Sequence, residues 1–264
     1  MITMLGVEVR RCLARRLVRW LVGIAVFCCI GLSIILRVKS APAGSPDQLR
    51  LESLWLTGGD SFLGVAATFL IIGGVLGGAS MIGAEWRAGT FTTLLTWEPD
   101  RARVAAAKLV ACGVVAFAIA VVLQALFCAA FLPATAWGRG TTAGTDPEWL
   151  RAVAGAILRI AGLTGLAATF MASVAMIGRN TAAALGVAFG YMIIFENLAR
   201  AWKPWAGRFL LGENGAVFAT GADLSGEGFS RSTSTAGLTL TMYVAAVALV
   251  AVATFWRRDL ASAS

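Results

Sequence analysis

The chain has 264 residues, of which 58% are hydrophobic and only 14% charged, with a mean hydropathy of +0.79 and a net charge of +8. Soluble domains are about half apolar and about a quarter charged, so this composition excludes one and places the chain in a bilayer. It contains no His, which removes the commonest catalytic base and metal ligand.

Residues 1–19 come first, with Glu8, Arg11, Arg15 and Arg19 on one helical face and Leu5, Val9, Leu13 and Leu17 on another. That period predicts an amphipathic helix along the inner membrane surface, either a plain topology anchor or an interfacial helix that also touches a partner. Apolar runs then recur at about 20–36, 61–82, 104–132, 151–178, 181–199 and 237–256. A helix needs about 20 such residues to cross about 30 Å of hydrocarbon, so six spans are expected. The first is too long for a secretory h-region, and Arg37 and Lys39 separate it from Ala41-Pro42-Ala43, so it is read as a retained span.

Lys and Arg placement sets the orientation, because positive charge stays on the cytoplasmic side during insertion. With the N-terminus inside, the inner segments hold twelve cations against five anions, while the outer ones hold nine against eight. The basic excess is thus a topology signal, and no nucleic-acid partner is needed to account for it. All nine Trp lie at or beyond span ends, as an interfacial aromatic belt predicts. The five Cys (Cys12, Cys28, Cys29, Cys112 and Cys128) fall on the inner flank or within spans and are expected to act as small core hydrophobes.

Between spans two and three, Gly83 to Lys108 form a charged island, with residues 84–103 as its cytoplasmic segment. Glu85 and Arg87 end the second span, Gly89 allows a sharp change of direction, and Thr90 is placed to cap a following short helix. Phe91, Leu94 and Leu95 share one face of that helix, opposite Thr92, Thr93 and Thr96. Glu98-Pro99-Asp100 stops it and starts the next, with Asp100 as cap and Arg103 and Lys108 on the rising span. An ordinary amphipathic loop with snorkelling cations is the alternative. Three outer loops are expected at about 37–60, 133–150 and 200–236. The aromatic first half of the third, Ala201–Thr220, suits a short re-entrant hairpin, and Gly221–Gly237 a mobile surface loop. Residues 257–264 make a short cytoplasmic tail.

The run E-W-R-A-G-T at 85–90, then L-L-T, W-E-P, R-A-R-V and K-L, resembles the signature of type-2 ABC exporter permeases. The likeness covers most of the chain: amphipathic N-terminal helix, six spans, long loop before the last span and basic tail. It implies an all-α integral membrane fold of type-2 ABC exporter architecture, with a cytoplasmic coupling helix between spans two and three. It further implies a transport subunit that pairs with a second permease, identical or homologous, and with two ABC ATPase subunits. On this reading Glu85 and Arg87 tie the coupling helix to the N-terminal helix or the ATPase, and Phe91, Leu94 and Leu95 fill a groove on one of them. Of the three Lys, at 39, 108 and 203, none sits in a G-x-x-x-x-G-K-[ST] context, so ATP and Mg²⁺ are expected on the partner ATPase and no cofactor on this chain.

Gly73, Gly74, Gly77 and Gly78 give two overlapping small-x-x-x-small pairs in the second span, and Gly186 and Gly190 repeat the spacing in the fifth. In the family resembled these spans tend to line a central cavity at the dimer interface; packing inside one subunit is the other reading. Arg159 and Glu196 are the ionisable residues inside predicted spans. Charges there cost at least about 2.5 kcal/mol unless paired or hydrated. The two either pair, or Arg159 snorkels while Glu196 sits at the interface. The function expected is export of a hydrophobic or amphipathic substrate across a bacterial inner membrane, with both termini cytoplasmic. An ion-coupled carrier would need a mid-membrane acid, a membrane hydrolase an activated nucleophile with its base, and a scaffold subunit neither.

Overall fold

The computed structural model describes residues 2–39, 62–91, 96, 100–136, 146–226 and 229–257. The first outer loop, much of the second and most of the short helix expected between spans two and three, including Leu94 and Leu95, lie outside the described residues. The fold is almost entirely helical, and six of its helices are long and apolar enough to cross a membrane. They run in the order expected, with ends shifted by a few residues.

The first helix, α1 (Ile2–Ala14), is separated from α2 (Arg16–Lys39) by a break at Arg15, so the surface helix ends five residues earlier than residue 19. Its buried face also differs from expectation: Glu8 and Cys12 point inward while Leu13 is exposed. α3 (Phe62–Arg87) stops where Gly89 adopts φ +65°, a value that favours glycine. Thr90 and Phe91 are helical again after this turn, and the Thr90 hydroxyl donates to the Glu85 carbonyl at 3.2 Å, which also closes the end of α3. α4 (Arg101–Ala136) begins at Asp100, whose Oδ1 accepts from the Arg103 backbone N–H at 3.1 Å, as the sequence predicts.

α5 (Pro147–Gly178) is capped by Asp146 and ends in a two-residue reversal, Arg179 at φ 54° and Asn180, whose side chain caps α6 (Thr181–Gly190). The fifth span continues through a π-helical segment, Tyr191–Phe195, into α7 (Glu196–Trp202). A 3₁₀ turn (Pro204–Phe209) and α8 (Leu211–Thr220) follow. Within the stretch expected as a surface loop, β1 (Leu224–Gly226) pairs antiparallel with β2 (Phe229–Arg231), and α9 already begins at Thr233 and runs to Arg257. This hairpin adds the one strand pair among the described residues to an otherwise all-α fold.

α5 is the central helix: 61% of its apolar window is buried, against 6% for α2 and 11% for the span formed by α6 and α7. It packs on α3, α4, α6, α8 and α9. Lipid supplies no hydrophobic drive between helices, so close approach depends on small residues. At the α3–α5 crossing a Cβ on Gly74 would stand 2.8 Å from the Thr164 carbonyl oxygen, and one on Gly78 would collide with the Ala168 carbonyl. The α4–α5 crossing uses Gly113 against the Thr169 hydroxyl and Gly165 against the Gly113 carbonyl. Thr164, Thr169 and Ser173 each donate to the carbonyl four residues earlier, which satisfies three hydroxyls within the apolar bundle.

Candidate functional site

At the α1 end of the bundle, three helices bring charge into one buried corner. Lys108, one turn into the buried part of α4, is 3% exposed and places its ammonium 3.0 Å from Glu8 Oε2 of α1 and 2.8 Å from Glu85 Oε2 of α3. Glu8 is 3% and Glu85 8% exposed. The other Glu85 oxygen accepts from Arg15 at 2.9 Å, at the break between α1 and α2, and Glu8 Oε1 accepts from Arg11 at 3.2 Å. Two carboxylates share one ammonium, and each adds an Arg at the rim. The buried ammonium and both buried carboxylates are therefore all paired, the condition under which buried ions persist.

An aromatic wall closes this corner. Trp86, Phe91 and Phe255 stand with ring centroids 4.7–5.9 Å apart, Lys108 lies 5.5 Å from the Phe91 centroid, and Arg179 from the α5–α6 turn covers the Trp86 ring at 4.8 Å. Phe91 is fully buried here. It packs within the chain, in the cluster that also holds Cys12 of α1 and Phe255 near the end of α9. Arg87, Gly89 and Thr90 are exposed at the tip, and Arg103 is exposed on the first turn of α4.

The sequence singled out Glu85 but not its partners. Glu8 lies 77 residues before Glu85 and Lys108 lies 23 after it, on separate helices, and no local spacing joins them. The available signal was chemical: a lone Lys at 108 just inside a span, where an unpaired ammonium is costly.

The span glycines divide by face. Gly74 and Gly78 serve the α3–α5 contact within the chain. Gly73 and Gly77 have open space where a Cβ would stand and line an apolar cleft of about 410 Å³ between α2, α3 and α4, with Val22, Phe69 and Ile119. Gly186 and Gly190 are likewise open. Cys12 and Cys112 are buried, but Cys28 is exposed on α2 and is not a core residue.

Arg159 and Glu196 do not pair. Glu196 Oε1 accepts from the backbone N–H groups of Gly212 at 2.7 Å and Glu213 at 3.2 Å, and the Tyr191 hydroxyl accepts from Leu211 N–H at 3.2 Å. Leu210 precedes α8 and has no capping side chain, so the buried Glu196 carboxylate caps this helix from across the fold. Arg159 instead lies against Gly221, just past the other end of α8. Glu196→Ala is expected to cost about 1 kcal/mol, as lost N-caps do, and to speed amide exchange within 211–220. A double-mutant cycle of Arg159 and Glu196 is expected to give no coupling; a coupling above about 0.5 kcal/mol would restore the pair.

A family model described as "Protein of unknown function (DUF2705)" matches residues 49–261. The matched stretch holds Glu85 and Lys108, whereas α1 with Glu8 and Arg15 precedes it. No curated protein matches the chain. Because the match spans about four-fifths of the sequence, the chain belongs to the DUF2705 family.

Proposed function

We propose that the chain is the transmembrane permease subunit of an ATP-driven exporter of the type-2 ABC class. It works with a second permease, identical or homologous, and two separate ATPase chains that carry ATP and Mg²⁺, in a bacterial inner membrane with both termini cytoplasmic. The observation that carries this reading is the ion-paired corner: Lys108, Glu85, Glu8 and Arg15 join α1, the end of α3 and the start of α4 beside the Gly89 turn. A push on that turn moves all three helices as one unit, since separating any of them would strand a charge in a low-dielectric interior.

In this scheme exposed Arg87 and Gly89, with Leu94 and Leu95, meet the ATPase, while buried Phe91 and the charge network pass the displacement inward. The cleft between α2, α3 and α4 is lined almost wholly by apolar side chains, which suits a hydrophobic or amphipathic substrate.

Co-expression with the ABC ATPase encoded beside this chain, followed by purification in mild detergent, is expected to yield a complex with equal numbers of permease and ATPase chains. Glu85→Gln in that complex is expected to keep membrane insertion and lower transport-linked ATP turnover about tenfold, within the usual range of coupling energies. Unchanged turnover would remove Glu85 from the coupling path.

A further inference from the structure

A second cleft, of about 440 Å³, opens at the α8 end of the bundle, lined by Glu148, Arg151, Gly155, Arg159, Thr220 and Gly221. Arg151, Gly155 and Arg159 recur every four residues on α5 and so follow one side of the helix. The glycine between them leaves room: a Cβ there would come within 3.3 Å of Arg159 Nη1. On the opposite wall Gly221, at φ +70°, lets the guanidinium lie against the backbone, where a Cβ would stand 2.5 Å from Cζ.

This guanidinium is poorly satisfied by the chain. Its Nε is buried without a hydrogen-bond partner, and neither Arg159 nor Arg151 takes part in an ion pair among the described residues. The C-terminal dipole of α8 favours a cation nearby but supplies no counter-charge of its own. Depth narrows the choice of anion. Arg179, next to the last residue of α5, sits in the charged corner at the opposite end, and about 20 residues of helix span the hydrocarbon. Counted back from Gly178, such a stretch begins at Arg159, which places the cleft at the level of lipid headgroups.

We propose that this cleft binds the phosphate of a membrane phospholipid headgroup, held between Arg151 and Arg159 in the space that Gly155 leaves. A guanidinium fork matches phosphate oxygens in pairs. Glu148 at the same cleft limits its net charge to +1, enough for one phosphodiester. The site is independent of the exporter reading, since any membrane function is compatible with a bound lipid.

The test is native mass spectrometry of the full chain in mild detergent, titrated with phosphatidylglycerol and, separately, with inorganic phosphate. The wild-type chain is expected to hold one phosphatidylglycerol, with affinity reduced about tenfold or more in Arg159→Gln, the loss typical of a charge-assisted hydrogen-bond pair. Arg159→Lys is expected to fall between, because it keeps the charge and loses the fork. Arg151→Gln, at an exposed position that does not threaten folding, is expected to weaken the lipid as well. Equal lipid retention by wild type and both Gln variants would overturn the proposal. So would binding of inorganic phosphate as tight as that of the lipid.

Discussion

Lys108→Ala is expected to destabilise the chain by about 3–5 kcal/mol, the range found when one partner of a buried ion pair is removed. The reason is specific to this corner. Among the described residues, Lys108 is the one cation that reaches both carboxylates directly, at 3.0 Å from Glu8 and 2.8 Å from Glu85. Without it, two buried acids face each other across a methyl group, and Arg11 and Arg15 remain at the rim with one acid each. Thermal unfolding in detergent measures the loss. The triple change Glu8→Gln, Glu85→Gln, Lys108→Met is expected to recover much of it, because replacing a whole buried ionic group is far less costly than breaking one. If Lys108→Ala unfolds within about 0.5 kcal/mol of wild type, the corner is not the buried unit described.

The second large effect separates two adjacent glycine stripes on α3. Gly78→Ala is expected to cost about 1–3 kcal/mol, the usual penalty of overpacking, while Gly77→Ala is expected to be neutral within about 0.5 kcal/mol. At 78 the added methyl meets the Ala168 backbone carbonyl of α5, and backbone cannot rotate away as a side chain does. The helices must separate along their closest contact, which also disturbs Gly74 one turn away. At 77 the methyl enters the open cleft. Unfolding midpoints of the two variants, compared under the same detergent, check this. Equal destabilisation by both would mean that α3 presents a different face to α5.

These cases show what the sequence made legible. Hydropathy located the six spans because each is a local property of about 20 residues, and the Gly89 turn and Asp100 cap were readable because their chemistry acts over three or four positions. Glycine spacing announced close packing near 73–78, but two stripes about one residue apart differ by about 100° around the helix, and only the position of α5 decides which stripe it meets. Glu8 looked like part of a polar face, since its neighbours on that face are arginines. Its burial depends on Lys108, a hundred residues away. Glu196 looked like an isolated intramembrane acid; its role as a cap requires α8, whose preceding Leu210 cannot cap itself. That weakness at Leu210 was visible in principle, though nothing local pointed from it to residue 196.

The buried corner has meaning for transport only if a separate ATPase presses on the turn beside it. Arg87 is exposed at the end of α3 and close to that turn without belonging to the ion-paired core. Arg87→Cys, in a background with the five native Cys replaced, therefore offers a direct probe of contact. In membranes containing the co-expressed ABC ATPase, a short thiol cross-linker at position 87 is expected to trap that ATPase, with a yield that changes when ATP is added. A position 87 thiol that reacts freely with soluble reagents yet never cross-links to the ATPase, with or without ATP, would contradict the account.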